Sequence, residues 1–245
     1  MSTPPVPFGR RLREEVAARG RLVAGVDPHA ALLASWGLED GPEGLRAFSR
    51  TVLEAVTGQV AAIKPQSAYF ERHGSAGVAV LEELLAAARA AGVLTILDVK
   101  RGDIGSTMTA YAQAHLLPGA PLEADAITVS PYLGTGSLDP ATELARQHGK
   151  GLFLLALTSN PDGPQVQHAR TARDTPRGSA APRRGSGRAS AWSSARPSAT
   201  PTAASGWTPP RPRSRSSPPA SGPRAPDLRR SPMSSVNVQI GRAHV

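Results

Sequence analysis

Five short apolar runs alternate with segments of helical periodicity over the first 170 residues. The runs are LVAGVDP, VAAIKPQ, LTILDV, AITVSPY and LFLLALTS, at positions 22–28, 60–66, 94–99, 126–132 and 152–159. Between them, apolar residues recur three and four positions apart over 44–57, 76–91, 107–117 and 140–147. Near-continuously apolar strands separated by helices are typical of a parallel sheet covered by helices. The alternation predicts an α/β fold. A (β/α)8 TIM barrel fits it best, with about five of the eight βα units readable.

The pattern stops within a few residues of Arg170. Residues 171–235 contain a single Leu, Ile, Val or Phe, namely Leu228, whereas residues 171–245 contain 12 Pro, 14 Ser and 13 Arg. Such a segment buries too little apolar surface to offset the entropy lost on ordering. The sequence therefore predicts two parts: a partial barrel domain at 1–170 and a disordered Arg/Pro/Ser-rich tail at 171–245.

Charge is divided in the same way along the chain. The tail carries a net charge of +11, and residues 1–170 carry −2, so the formal +9 of the whole chain belongs to the tail. Three interpretations of the tail stay open. It is a basic arm that binds nucleic acid or another acidic surface, a flexible linker, or an out-of-frame translation of a GC-rich gene. We favour the out-of-frame interpretation, because Arg, Pro, Ser, Ala and Gly are the residues that GC-rich codons encode.

Other features of the composition narrow the class of protein. The chain has no cysteine, which excludes disulfides and thiolate metal sites. No apolar run approaches the roughly 20 residues of a membrane-spanning helix, and the first 20 residues lack the apolar region of a signal peptide. The six histidines show no metal-ligand spacing. We expect a cytoplasmic protein with no membrane partner and no bound metal.

Charged side chains gather where the third run ends, in the sequence DVKRGD. Alternation along a strand makes Asp98 and Lys100 project to the same face. Asp103 follows in a glycine-containing turn and is expected to fold back towards them. The simpler interpretation is a structural ion pair between Asp98 and Lys100, since such pairs are common at strand ends. Two carboxylates and an ammonium at one spot instead favour a functional site, because such charges are costly to place together.

The first 170 residues resemble the orotidine 5′-phosphate decarboxylases, and more closely the bacterial subgroup with the motif DxKRGDIGST. That motif occupies Asp98–Thr107 in this chain. Four further motifs of the family follow the expected order, namely GVDPH, IKPQSAYFE, SPYLG and TSNP at 25–29, 63–71, 130–134 and 158–161. The resemblance covers about residues 8–170. It implies a TIM barrel that decarboxylates orotidine 5′-phosphate to UMP without a cofactor.

The resemblance also implies roles for the charged residues. Lys100 is the expected proton donor to C6 of the pyrimidine after the carboxylate leaves. Lys64, Asp98 and Asp103 are expected to complete an alternating Lys-Asp-Lys-Asp array with it. For Lys64 alone the residues would favour a solvent-facing side chain, so this role rests on the resemblance.

Three further residues are expected to bind substrate. Asp27 would hydrogen-bond the ribose hydroxyls, and Ser159 would contact the pyrimidine edge. Thr107 and Asp103 would reach the site of a second subunit, which makes a homodimer with shared active sites part of the expected mechanism. Without the resemblance, Asp27 before Pro28 is most simply a turn residue, and Ser159 is equally well explained as a capping or turn residue.

The resemblance is incomplete for the part of the site that binds the phosphate group of the substrate. In this family that group is bound by loops after the seventh and eighth strands, and no match to them follows Arg170. We therefore assign no phosphate-binding residue and expect the chain as written to be inactive or weakly active. Two other functions stay open: a metal-dependent sugar-phosphate decarboxylase or lyase of the same superfamily, and a nucleic-acid-binding protein acting through its basic tail.

Overall fold

The computed structural model describes residues 4–169, and the predicted tail at 171–245 lies outside them. The five strands of this part are β1 (Val23–Val26), β2 (Ala62–Pro65), β3 (Ile96–Arg101), β4 (Ala126–Val129) and β5 (Gly151–Leu154). The helices are α1 (Phe8–Arg19), α2 (Ala30–Ser35), α3 (Pro42–Val56), α4 (Ala68–Glu71), α5 (Gly74–Ala90), α6 (Gly105–Leu116), α7 (Asp139–Gln147) and α8 (Pro164–Gln167), with a 3-10 turn at Thr135–Leu138.

The strands lie side by side in chain order and all pair in parallel. β1 pairs with β2, and β3, β4 and β5 form a second ladder. Two bridges, Ile63 with Thr95 and Gln66 with Asp98, join the two ladders. The predicted α/β fold with successive parallel strands is thus confirmed. The chain order 1-2-3-4-5 is the one that a (β/α)8 barrel follows around its wall.

Adjacent strand residues divide between two apolar clusters, as the two-residue period of a strand requires. The larger cluster faces the helices and contains one set of strand residues: Ala24, Val26, Ile63, Leu97, Val99, Ile127, Val129 and Leu152. The smaller one contains the alternate set, Ala62, Ile96, Ala126 and Phe153. We call the face that carries this second set the inner face. It is apolar at the amino ends of the strands, and polar side chains follow on it towards the carboxyl ends.

Helix α1 covers the apolar end of the inner face and was not among the predicted elements. Phe8 and Leu12 are buried in the smaller cluster, with Val16 packed against it. The four-residue spacing of these three side chains is the signal that would have predicted the helix. The guanidinium of Arg11 anchors α1 through an ion pair of 2.6 Å with Asp125, just before β4.

The last two strands end earlier than predicted, at Val129 and Leu154. Ser130 still donates a backbone hydrogen bond of 2.8 Å to Arg101, but Pro131 has no N–H with which to continue the ladder. Leu155 donates to Val129, the last residue of β4, and the ladder between β4 and β5 ends there. Each strand therefore stops where its neighbour stops.

Candidate functional site

The carboxyl end of β3 departs from regular strand geometry. Leu97 lies opposite Ile127 and Arg101 lies opposite Val129, so the three residues 98–100 of β3 face a single residue of β4. This is a β-bulge, a feature that redirects side chains and is common next to active sites. Lys100 in the bulge has a φ of +46°, the one positive φ of a non-glycine residue within 4–169. The left-handed conformation turns the lysine away from the path of the strand.

The carboxylate of Asp98 is the centre of the site. Its residue is only 4% exposed, and it accepts four hydrogen bonds. Oδ1 receives the Lys100 ammonium at 2.6 Å and the Thr128 hydroxyl at 2.8 Å. Oδ2 receives the Lys64 ammonium and, at 3.2 Å, the Gln66 side-chain amide. Each oxygen thus binds one cation and one neutral donor, which satisfies a buried carboxylate on both sides.

These contacts determine the charge of Asp98. Burial by itself would raise the pKa of its carboxyl, but the charge of Lys64 and the hydrogen bonds from Lys100, Lys64 and Thr128 outweigh it. The pKa of Asp98 therefore lies below its ordinary value, and the group is ionised at neutral pH. The carboxylate holds the two lysine ammoniums on its opposite oxygens, although like charges otherwise repel.

Asp27, directly after β1, belongs to the same electrostatic cluster. Burial raises the pKa of its carboxyl, and the charge of Lys64 opposes that rise. Asp98 repels it and raises the pKa further, whereas Lys100 and His29 lower it. The net pKa is raised, so Asp27 is the less strongly stabilised of the two carboxylates. His29 itself is turned away into helix α2, where its Nδ1 accepts the amide of Leu32 at 3.2 Å.

The other predicted site residues do not join this cluster. Asp103 does not fold back onto Lys100 and makes no ion pair within residues 4–169; its carboxylate accepts the amide of Ile104 at 2.8 Å. The turn directs the chain into helix α6 before the carboxylate can return. Thr107 is exposed in the first turn of α6, and Ser159 is exposed in the loop after β5.

Sequence reasoning missed two residues that contact the central carboxylate, Thr128 and Gln66. Both lie on the inner face, Thr128 two residues after Ala126 and Gln66 two residues after Lys64. Strand alternation was thus an available signal for both. Thr128 went unnoticed because a β-branched residue is ordinary in a strand.

Exposed apolar side chains lie in the loops that follow β3 and β4 at the carboxyl end of the sheet. Ile104, which follows the β3 turn, is 62% exposed. In the loop after β4, Tyr132 is 78% and Leu133 is 53% exposed. Large apolar side chains grouped at one edge of a fold are typical of an interaction surface.

Behind the bulge, Arg101 connects the site to the helices. Its guanidinium donates to Glu71 at 2.7 Å and lies 5.3 Å from the ring centroid of Tyr111. His115 on α6 is 4% exposed, and its Nδ1 has no hydrogen-bond partner among residues 4–169. Burial and the nearby charge of Arg101 lower the pKa of this histidine to about 4, although Glu71 and a hydrogen bond to a backbone group act in the opposite direction.

The fold and the charge cluster define a class of protein. Parallel βα units whose polar side chains converge at the carboxyl ends of the strands are characteristic of (β/α)-barrel enzymes, which have their active sites at that face. A buried carboxylate between two lysine ammoniums is a preorganised electrostatic site. Within residues 4–169, no three His, Asp or Glu side chains are grouped as metal ligands are.

Comparison with known proteins identifies the family. The family model described as orotidine 5′-phosphate decarboxylase / HUMPS matches residues 20–201, and the chain belongs to this family. A protein named orotidine 5′-phosphate decarboxylase from Nocardioides sp. (strain ATCC BAA-499 / JS614) is 62% identical over 165 residues, which are 67% of this chain and 60% of that protein. One of the same name from Streptomyces coelicolor is 64% identical over 163 residues, 66% of this chain and 59% of that protein.

Solved structures give the same result. A crystal structure described as an orotidine 5′-phosphate decarboxylase from Streptomyces avermitilis is 60% identical, with a TM-score of 0.69 over 71% of this chain and 61% of that chain. The structure of Leishmania donovani OMP decarboxylase is 32% identical, with a TM-score of 0.57 over 68% of this chain and 59% of that chain. The chain spans about three fifths of the length of the curated relatives that it matches.

Proposed function

We propose that this chain carries the charge-bearing, amino-terminal part of a cytoplasmic enzyme that decarboxylates orotidine 5′-phosphate to UMP in pyrimidine synthesis. The observation that supports this most strongly is the buried Asp98 carboxylate, bonded to Lys64 on one oxygen and to Lys100 on the other. Membership of the decarboxylase family supplies the reaction, since relatives named for it share about three fifths of their residues with this chain over the matched region.

The proposed chemistry uses charge alone and needs no cofactor. When the C6–carboxylate bond breaks, carbon dioxide leaves and the electron pair stays on C6, where no adjacent group can delocalise it. The Lys100 ammonium stabilises this carbanion and transfers a proton to C6, and the resulting neutral amine regains a proton from solvent. Preorganised charge aimed at a developing anion is usually the largest single contribution to catalysis.

Asp98 and Lys64 act on the proton donor. The Asp98 carboxylate holds the Lys100 ammonium in place by accepting a hydrogen bond of 2.6 Å from it. Lys64 prevents Asp98 from being neutralised, because its own charge stabilises the carboxylate from the other side. In this proposal Asp98 also faces the substrate carboxylate, so that their repulsion is relieved as carbon dioxide leaves.

The remaining predicted residues act on the rest of the substrate in this proposal. Asp27 hydrogen-bonds the ribose hydroxyls, in keeping with its position beside the charge cluster, and Ser159 contacts the pyrimidine edge. Asp103 and Thr107 serve the site of a partner subunit in a homodimer. Asp103 has no ion-pair partner within residues 4–169, and the exposed Ile104 follows it directly in the chain, which fits a subunit interface.

The experiment that tests the proposed reaction uses a hybrid protein. Because the chain spans about three fifths of its relatives, residues 1–169 are fused to the remaining carboxyl-terminal part of the Streptomyces coelicolor protein. Loss of orotidine 5′-phosphate absorbance is then followed with and without EDTA. We expect turnover that EDTA leaves unchanged. Turnover restricted to a sugar phosphate and dependent on Mg²⁺ would favour the metal-dependent lyase and contradict the proposal.

The shared-site homodimer has its own test in the same hybrid. Two variants, Lys100→Ala and Asp103→Ala, are each expected to be inactive. A mixed dimer contains one site with both residues intact if Asp103 acts on the partner, so mixing the two variants should restore turnover. If Asp103 acts within its own subunit, every site of the mixture is defective and no turnover returns.

The tail is outside this proposal. We attribute residues 171–245 to an altered reading frame, and sequencing the gene around codon 170 tests this directly. A frame that continues with βα-patterned residues would support it, and a confirmed tail would contradict it. In the second case, DNA binding that weakens steeply with salt and is lost on deleting 171–245 would instead favour a nucleic-acid-binding arm.

A further inference from the structure

The bulge in β3 leaves one residue of β4 to satisfy three residues of its neighbour. Thr128 is that residue, because Ile127 and Val129 are already paired with Leu97 and Arg101. A regular ladder would supply a backbone carbonyl to the amide of Lys100. Here the side-chain Oγ1 of Thr128 accepts that amide instead, at 2.9 Å.

The same hydroxyl makes a second bond, in the opposite sense. Thr128 Oγ1 donates its hydrogen to Asp98 Oδ1 at 2.8 Å. A hydroxyl can do both at once, since it has one hydrogen to donate and lone pairs to accept. Hydrogen bonds linked in this way polarise and strengthen one another. A continuous chain therefore runs from the Lys100 amide through the Thr128 hydroxyl to the Asp98 carboxylate.

Both residues at the ends of this series of hydrogen bonds, Lys100 and Asp98, need the support of Thr128. A left-handed backbone is unfavourable for a residue with a side chain, so the positive φ of Lys100 persists only if its surroundings hold it. The Asp98 carboxylate could rotate about its terminal torsion, which is a soft one, and would then exchange the oxygens that face the two lysines. Thr128 is 3% exposed, so water is poorly placed to replace its hydroxyl.

We propose that Thr128 is a positioning residue. It fixes the Lys100 backbone and the Asp98 carboxylate in one arrangement, and these two groups together orient the ammonium of Lys100. The inference rests on the proposed function only in naming Lys100 as the proton donor. Thr128 itself has no proposed contact with substrate. It acts by setting where the charged groups lie before substrate binds.

The test replaces the hydroxyl while keeping the shape. Thr128→Val is nearly isosteric but can neither donate nor accept, whereas Thr128→Ser keeps both bonds. The carboxyl of Asp98 is titrated in the full chain by the ¹³C resonances of labelled aspartate over the acidic range in which the chain stays folded, and Asp98→Asn assigns the resonance. Thr142→Val is the matched control, because the hydroxyl of Thr142 in helix α7 donates to the backbone carbonyl of Leu138 and touches none of the charged groups described above.

We expect Thr128→Val to raise the pKa of Asp98 by about one unit, the effect of losing one hydrogen bond to a charged acceptor. Thr128→Ser and Thr142→Val should titrate like the unaltered chain. If the Asp98 resonance of the unaltered chain does not shift over the pH range in which the chain stays folded, the Asp98 resonance of Thr128→Val should still shift within that range. Thr128→Ala, with a smaller side chain, gives the same comparison should valine prevent folding.

A purely structural role for Thr128 predicts a different result. Valine and serine would then lower the melting temperature without changing the titration, or would change it equally, and either finding overturns the inference. The titration requires no turnover, so it can succeed even if the chain acts on another substrate. Conversely, its failure leaves the contacts of Asp98 with both lysines, and with them the proposed function, in place.

Discussion

Replacing His115 with glutamine is expected to make the protein less sensitive to acid. Burial and the charge of Arg101 lower the pKa of His115 to about 4 in the folded chain, from an ordinary value of 6.5. At a pH between these two pKa values, His115 binds a proton in the unfolded chain but not in the folded chain. Stability therefore falls as the pH drops through this window, because protonation favours the unfolded state.

The size of the effect follows from the gap between the two pKa values. A gap of about 2.5 units at about 1.36 kcal/mol per unit gives a loss of about 3 kcal/mol once the pH is below both values. Between about pH 7 and about pH 4.5 the loss is about 2 kcal/mol. Typical domains are stable by roughly 5–15 kcal/mol, so the loss is easily measured.

Urea unfolding at a series of pH values provides the assay. The unaltered chain and His115→Gln are compared by the slope of unfolding free energy against pH, because absolute values also contain the packing cost of the substitution. Carboxylates such as Asp98 contribute equally to both proteins, and their effect cancels in the difference. We expect the unaltered chain to lose about 2 kcal/mol more than the variant over this range. Parallel slopes would refute the argument that a buried, neutral His115 opposes acid.

Two further predictions concern the packing that positions the site. Phe8→Ala should reduce the unfolding free energy by about 3–4 kcal/mol, because the ring packs edge-on against Phe153 at 5.9 Å; a loss below about 1 kcal/mol would show that helix α1 does not cover the inner face. Gly102→Ala should destabilise the turn after β3, since a Cβ there would lie 2.5 Å from the carbonyl oxygen of Ser130. Gly136→Ala is its control, with nothing nearer than 3.9 Å. Equal melting temperatures for the two alanine variants would contradict this account of Gly102.

The sequence predicted the strands well because burial on both faces leaves a clear local pattern. Ala126–Val129 and Gly151–Leu154 lie within or one residue outside the predicted runs. The proximity of Asp98 and Lys100 also followed from alternation, whereas the place of Lys64 beside them followed from the resemblance to the decarboxylase family. These features depend on short stretches of chain, and local periodicity reports them directly.

The features that the sequence could not predict depend on the register between neighbouring strands. The bulge in β3 places three residues opposite Thr128 alone, and no local pattern in DVKRGD encodes this offset between the two strands. The same offset sets the left-handed backbone of Lys100, which simple alternation does not provide. Asp103 was expected to fold back, but the chain enters helix α6 two residues later, at Gly105. Strand pairing, rather than residue preference, decided the first two, and the start of helix α6 decided the third.

The most direct test of the account is the effect of Lys100→Ala on turnover of orotidine 5′-phosphate by the hybrid protein. Arg146→Ala is the matched control, because Arg146 forms an exposed ion pair with Glu143 on α7, away from the charge cluster. If Lys100 is the proton donor, kcat should fall by at least about 10²–10⁴-fold, with the control close to the unaltered hybrid. A Lys100→Ala hybrid that turns over as fast as the control would contradict the central claim.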